Sequence, residues 1–444
     1  MSEIFKINGA NFKCEFMLKD DKGKEQIEFS KDAIKGLDLS ESIFEPFTHA
    51  EVLINNPFDY IDNTFQLRGD GRDLFEFSLK HEDAPDSEKL SYKFVINGET
   101  NSISKRDRAN NFKSYTLLDV NYFKLNEEIP YGTRYRGKVG DIIKAILSDI
   151  LGDEIINEDS FEPGDHDINL FPEHILPASS FKYSDLLKYL LGIYYSIEGE
   201  LAIKSFLIFD RKDSKYSLVP ISKIFEENKD RLLEGFGVGD LISKSDSSNK
   251  SNPPPDAKVN EYLTPLSNTD FTTPMLTYSN EFFMNVLATG YDQILGEHVI
   301  REIRIKDIKK KWKTKFVDVF KCQGGSPTAF LPLNKVKKEE QFRTISLPFS
   351  INTVAKICEA DLVANLTFYN LQLNINNLGD TNRRSGQFID IYKPAKEEIV
   401  DKKLLGRWLV TVCRHQFVGN SYQNTMQCIK TYVGPGAKIS DDIE

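Results

Sequence analysis

Residues 351–378 read INTVAKICEADLVANLTFYNLQLNINNL, and a change of period inside this stretch decides the fold. Val354, Ile357, Cys358, Leu362 and Leu366 recur at three- and four-residue spacing, which predicts a helix over 352–366. Leu371, Leu373 and Ile375 then alternate with Gln372, Asn374 and Asn376, a strand with one apolar face and one amide face. A turn over 379–386 leads to a strand over 388–392, followed by Pro394. Two more strands, 408–414 and 422–431, meet across Gly419-Asn420. Residues 350–432 therefore predict a helix feeding a four-strand antiparallel unit.

An earlier stretch, 65–120, repeats the strand part of this order. The turn Arg68-Gly69-Asp70-Gly71 precedes a strand over 74–80, as Gly386 precedes 388–392. A strand over 92–96 and a last strand over 113–120, after Asn110-Asn111, complete the parallel. Shared order without shared letters predicts a duplicated fold.

Working outward, residues 1–125 give five or six short strands and no convincing helix, for example Cys14, Phe16 and Leu18 alternating with polar neighbours. Such a run predicts a first β-barrel. Residues 126–242 predict an α+β middle domain. Ile142, Ile143, Ile146, Leu147, Ile150 and Leu151 form one helical stripe closed by Gly152, and a second short helix from Ser184 is closed by Gly192. Residues 243–258, rich in Ser and Pro, read as a linker or loop. Residues 259–350 read as a mixed β region, partly an insertion; 351–436 as a second β-barrel with its leading helix; and 437–444 as an acidic tail. The fold class expected is multi-domain and mainly β with some α: two similar antiparallel β-barrels separated by an α+β middle region.

A chain of 444 residues is long enough for several such domains. Its N-terminus lacks a signal peptide's basic start and apolar core, and no stretch approaches the roughly 18 apolar residues of a membrane span, so folding in a cytoplasm is expected. Cys14, Cys322, Cys358, Cys413 and Cys428 show no C-x-x-C spacing, which fits buried thiols better than disulfides or zinc. A net charge of −10 argues against tight nucleic-acid binding and against an anionic membrane as partner.

Catalytic signals are missing. Gly235-Phe236-Gly237-Val238-Gly239 lacks the register and the following helix of a phosphate loop and reads as a flexible turn. The histidines are dispersed, and His415 reads as a surface or hydrogen-bonded side chain rather than a zinc ligand. Asp70, Asp73 and Glu76 read as turn and strand-face carboxylates rather than a hydrolytic pair. Arg68-Gly69-Asp70 reads as a hairpin turn, and the basic run 309–315 as a solvated segment with Trp312 packed inward. The sequence thus assigns no catalytic, cofactor-binding or metal residue and implies no cofactor and no enzyme.

The order of these features resembles the baseplate hub proteins of contractile-tailed phages, the T-even type hub ring, and the N-terminal hub region of VgrG-type spike proteins. The residues that carry the resemblance are Pro57 and the stretch 65–80 of the early barrel, Ser179-Ser180-Phe181 before the helix 184–191, the strand 201–209, and the helix, alternating strand, glycine turn and hairpin of 352–431. The resemblance implies two tail-tube-type barrels per chain and a homotrimeric ring that adapts a sixfold tail tube to a threefold central spike. It further implies a channel for DNA, tail tube, spike and other baseplate proteins as partners, and a place in the virion tail after synthesis in the bacterial cytoplasm. It leaves two sources for completing the second barrel, residues 232–243 or 278–305. A tail-associated cell-wall hydrolase, a carbohydrate-binding β protein and the hub of a phage-like injection machine are the competing readings.

Overall fold

The computed structural model describes residues 3–7, 10–20, 22, 26–65, 67–82, 89–102, 111–161, 169–170, 176–177, 181–211, 213–225, 232–237, 270–272, 285–292, 294–312, 342–368, 371–392, 406–419 and 421–430. The expected linker at 243–258, the acidic tail and Cys322 lie outside them. The first strands are β1 (Glu3–Ile7), β2 (Ala10–Asp20), β3 (Gln26–Phe29), β4 (Ile34–Ser42), β5 (His49–Asn55), β6 (Asp73–His81), β7 (Leu90–Ser102) and β8 (Phe112–Asp119). Two short helices, α1 (Tyr60–Thr64) and α2 (Val120–Leu125), occur where the sequence shows no convincing helix. At five and six residues they are too short to display a periodic stripe.

The middle of the chain holds β9 (Arg134–Tyr135), β10 (Gly137–Lys138), α3 (Val139–Leu151), β11 (Asn169–Leu170), β12 (Leu176–Pro177), α4 (Tyr183–Ile193), β13 (Tyr195–Glu198), β14 (Leu201–Asp210), β15 (Lys215–Pro220) and α5 (Ile221–Phe225). Gly152 ends α3 at φ +104°. Gly192, expected to close α4, lies inside it; the chain leaves through Tyr194 in extended conformation, so no left-handed residue is needed. The rest comprises β16 (Leu232–Gly237), β17 (Asp270–Thr272), β18 (Asn285–Asp292), β19 (Glu297–Ile303), α6 (Ile305–Trp312), β20 (Phe342–Ser350), α7 (Ile351–Phe368), β21 (Leu371–Leu378), β22 (Phe388–Tyr392), β23 (Gly406–Val418) and β24 (Ser421–Lys430).

One sheet runs through most of these strands. Its first part has the order β2-β6-β7-β8-β5-β4, with β1 and β3 also paired to β2 and left out of this order, and its second part β16-β22-β23-β24-β21-β17. Ranking the six strands of each part by their place in the chain, both orders read 1-4-5-6-3-2. β6 and β22 hold the same rank in the two parts. The first pair differs, since β2 and β6 are antiparallel whereas β16 and β22 are parallel. Of the two sources left open for completing the second part, 232–237 supplies a strand. Residues 285–303 instead pair with each other and with β20 in a separate three-stranded sheet. The Gly235-Phe236-Gly237 segment is therefore a strand and not a turn, with a register shift between Leu233 and Phe236. Glycine in a strand marks such an irregularity, which is why it imitates a turn in the sequence.

One strand joins the two parts in space. β23 is 13 residues long and serves both. Residues 406–409 pair with β22, residues 412–418 pair with β4, and a bulge lies between Val410 and Val412.

Inward side chains of β2 to β8 meet in a single apolar cluster, so this part of the sheet rolls around its own core. Phe417 and Tyr422, at the far end of the β23–β24 hairpin, complete that core from the other part. Their rings stack at 4.2 Å and lie 5.9 Å from Phe77 and 5.8 Å from Phe12. A second cluster joins α3, α4, the β13–β15 sheet, α7 and β18. α7 is buried beyond the single stripe predicted for it, because Ala355, Ala360, Val363 and Ala364 are buried along with Val354 and Leu362. It packs against both β14 and the β18–β20 sheet, while Asn352, Lys356 and Asp361 keep one side of it polar and partly exposed. Gly290 allows the close approach, since a Cβ there would lie 2.7 Å from the Ile351 Cα. The period change at 371 is read correctly: Leu373 and Ile375 are fully buried, while Gln372 and Asn374 are exposed.

Candidate functional site

The described carboxylates of the first glycine turn hold backbone and side-chain partners. Asp73 Oδ2 accepts the backbone N–H groups of Arg68 (2.6 Å) and Gly69 (3.0 Å), which fixes the turn before β6. Asp70 pairs with Arg72, whose hydrogen bonds hold its carboxyl below the usual range. Glu76 sits between Lys19 (2.7 Å) and Lys93 (3.7 Å) on the outer strand face. In the basic run, Lys311 lies 3.6 Å from Glu359 of α7, so this part of it faces the body of the protein rather than solvent alone. Glu359 is itself buried and accepts from Lys356 (2.6 Å) and from the Ala202 N–H (3.2 Å). The side chains of Lys309, Lys310 and Trp312, and residues 313–315, lie outside the described set.

Among the described residues no cluster of three or more His, Cys, Asp or Glu is arranged to hold a metal ion, and no helix is long and apolar enough to cross a membrane. The four described cysteines are buried and unbonded. Burial pushes the thiols of Cys14 and Cys358 up to about 12, which leaves them unreactive near neutrality. A cleft of about 390 Å³ runs between α7 and the amide face of β21 and β24, with Gln372, Asn374 and Gln427 on its floor. None of its described lining residues is a carboxylate. A neighbouring cleft of about 380 Å³ has two acids, but Glu45 is engaged by His49 at 3.4 Å and both carboxylates are exposed.

The most elaborate polar constellation lies where β23 crosses from one part of the sheet to the other. The turn between β21 and β22 folds over this point. Arg383 donates to the Leu378 carbonyl and to Asn424 Oδ1 (3.2 Å), which also takes the Asp380 N–H at 2.6 Å. With its oxygen so engaged, Asn424 turns Nδ2 toward His415 Nδ1, 2.9 Å away, and the Tyr422 hydroxyl lies 2.8 Å from the same nitrogen. His415 is therefore neutral, with its proton on Nε2. It is completely buried, so the hydrogen-bonded alternative is right and the surface one is not. Gly379 permits this closure, because a Cβ there would lie 2.2 Å from the Tyr422 ring.

Beside it lies a buried ionic node. Arg211, just beyond β14, donates through Nη2 to the carbonyls of Thr381 (3.2 Å) and Arg383 (3.1 Å). Its Nη1 stands 3.3 Å from Glu41 Oε1 at the end of β4, close enough for charge attraction but without hydrogen-bond geometry. Glu41 also accepts the Tyr92 hydroxyl proton, and burial together with the Glu41 charge holds that phenol well above its usual range. Arg384 pairs with Asp210 at 2.7 Å. Three regions far apart in sequence thus converge on one point, and sequence patterns gave no sign of it. Arginines in a glycine-rich turn are the one available signal, and it is not specific.

Burial, then the charges of Arg211 and Arg383, hold the His415 pKa well below 6.5. The unfolded chain binds a proton as pH falls through about 6.5 and the folded chain does not. His415 therefore leaves stability undiminished above that pH and erodes it below. Asp119, raised to about 6 chiefly by burial, acts in the opposite sense: its contribution is present below the usual carboxylate range and lost as pH rises through 6. Urea unfolding from pH 8 to 5 should show a smaller loss of stability in His415→Gln than in the wild type. Equal pH slopes would overturn the assignment.

No protein-family model matches the chain, and no curated protein matches it in sequence. Solved structures do match. The tail protein from Neisseria meningitidis MC58 aligns with a TM-score of 0.51 at 9% identity, over 94% of this chain and 96% of that one. The 43 kDa tail protein of prophage MuSo2 from Shewanella oneidensis aligns with a TM-score of 0.51 at 8% identity, over 94% and 97%. The chain shares the fold of these phage-type tail proteins across nearly its whole length.

Proposed function

We propose that this chain is a structural, non-catalytic hub of a phage-type tail, which assembles as a homotrimeric ring. The observation that carries this reading is the strand order 1-4-5-6-3-2 occurring twice in one chain, on a fold shared with tail proteins. Two like units per chain and three chains per ring give six like units around a threefold axis. Such a ring matches a sixfold tube on one side and a threefold spike on the other. In this reading the two parts are tail-tube-type barrels, 1–125 and 351–436. The middle domain 126–242 and the region 259–350 brace them, with 232–237 and 270–272 lending strands to the second. Tail tube, central spike and other baseplate proteins are the partners, and the virion tail, or a related injection machine, is the place of action.

A ring carrying three times −10 repels a passing DNA backbone within about 8 Å of its wall at physiological salt. The test of the reading is mass photometry or sedimentation over a concentration series, with and without the spike protein. A mass of three chains is expected, with each contact burying more than about 1,200 Å². A monomer under every condition, or a stable dimer, would overturn the trimer.

A further inference from the structure

Strand β7 runs for 13 residues, and past its middle lies the pair Asn97-Gly98. Between apolar runs such a pair ordinarily makes a tight hairpin turn. Here the chain continues as strand through it. The ladder with β8 passes from Ile96 opposite Leu117 directly to Gly98 opposite Thr116, so Asn97 is the extra residue of a β-bulge. A bulge leaves its extra residue unpaired and bends the strand locally. On the other side of β7 the ladder with β6 ends at Val95. Asn97 and Gly98 therefore have strand neighbours on one side only among the described residues. The Asn97 side chain is exposed and makes no hydrogen bond among the described residues.

Glycine at the next position carries no side chain to shield its own backbone nitrogen. Neither packing nor backbone conformation requires glycine there. A Cβ on Gly98 would meet Thr116 at 3.8 Å, an ordinary contact, and Gly98 is not among the glycines with positive φ. An exposed, unengaged amide thus stands beside an unshielded nitrogen, at a point where the strand is released from its regular ladder. Those are the conditions for the nitrogen to attack the side chain.

We infer that Asn97-Gly98 is a site of spontaneous deamidation in the folded protein. The Gly98 nitrogen loses its proton to base and forms a bond to Asn97 Cγ. The bond from Cγ to the side-chain nitrogen breaks, and that nitrogen leaves as ammonia with a proton from water. Water then opens the succinimide at either carbonyl, leaving aspartate or isoaspartate at position 97. Amide and water have become acid and ammonia, with no oxidant or cofactor involved. Each event adds one negative charge to a chain already at −10. Isoaspartate also adds a carbon to the backbone of β7, where the bulge has already interrupted the register.

The test incubates the folded chain for several weeks at pH 8 and pH 6 and follows its tryptic peptide 94–105 by mass spectrometry. The peptide should convert to the acid form, faster at pH 8, with a matching acidic band in isoelectric focusing. Asn101 lies in the same peptide but in the regular ladder opposite Lys113, and it should keep its amide. Gly98→Ala should slow the conversion about tenfold, through a modest rise in the barrier to ring closure, with an unchanged far-UV spectrum. The chain unfolded in guanidinium supplies the reference rate. Conversion of the folded chain within about tenfold of that reference supports the inference. A folded chain that keeps the Asn97 amide while the unfolded one loses it overturns the inference, because the sheet then protects the pair. Equal conversion of Asn97 and Asn101 overturns the part given to the bulge.

Discussion

Arg211→Ala should cost about 3–5 kcal/mol, because it leaves a buried carboxylate without its partner. The Arg211 and Glu41 side chains are only 14% and 9% exposed, so water cannot replace the lost charge. The same change frees the Thr381 and Arg383 carbonyls, which fix the turn closing over β23. Glu41→Gln should be milder, since an amide oxygen can still accept the Tyr92 hydroxyl. Replacing Arg211 and Glu41 together with Met and Leu should recover only the part of the loss that comes from the unpaired charge, since the Thr381 and Arg383 carbonyls and the Tyr92 hydroxyl still lose these partners. Guanidinium unfolding of the three variants measures this. A loss below about 1 kcal/mol for Arg211→Ala would mean that the node is solvated in solution, like an ordinary surface pair.

Leu373→Ala should cost about 2–5 kcal/mol, the range for a fully buried leucine whose cavity cannot collapse. Its neighbour is the control. Asn374 points outward on the same strand, so Asn374→Ala should change stability by no more than about 0.5 kcal/mol. Comparable losses at the two positions would place the strand in the opposite register.

That register was legible because a strand with one wet face writes itself as strict alternation, and the 371–376 run does so without exception. The β23–β24 hairpin was legible for the same reason, through Gly419 and the apolar runs flanking it. Helix α7 was found but its surroundings were not: alanines at 355, 360 and 364 are silent in a search for a stripe, yet they let two sheets approach it. The parallel strand β16 was missed because glycines at 235 and 237 imitate a turn, and its partner β22 lies more than 150 residues away. The Arg211–Glu41 node was missed because it depends on side chains brought together by the fold and carries no local spacing rule. The repeated strand order was foreshadowed by turn positions alone, with the pairing that makes it a repeat visible only in the structure.

The strand shared by both parts of the sheet has a consequence for synthesis. β4 pairs with β23, and across that pairing Arg414 donates to Asp38, 376 residues earlier in the chain. At roughly 5–20 residues per second, a ribosome takes about 20 to 75 s to travel that distance. For all of that interval the N-terminal sheet is on offer with its β4 edge unpaired and without the Phe417 and Tyr422 rings that fill its interior. An unpaired edge of this kind is an invitation to other nascent chains. The first part of the sheet thus waits for residues made about 376 positions after its own β4 strand.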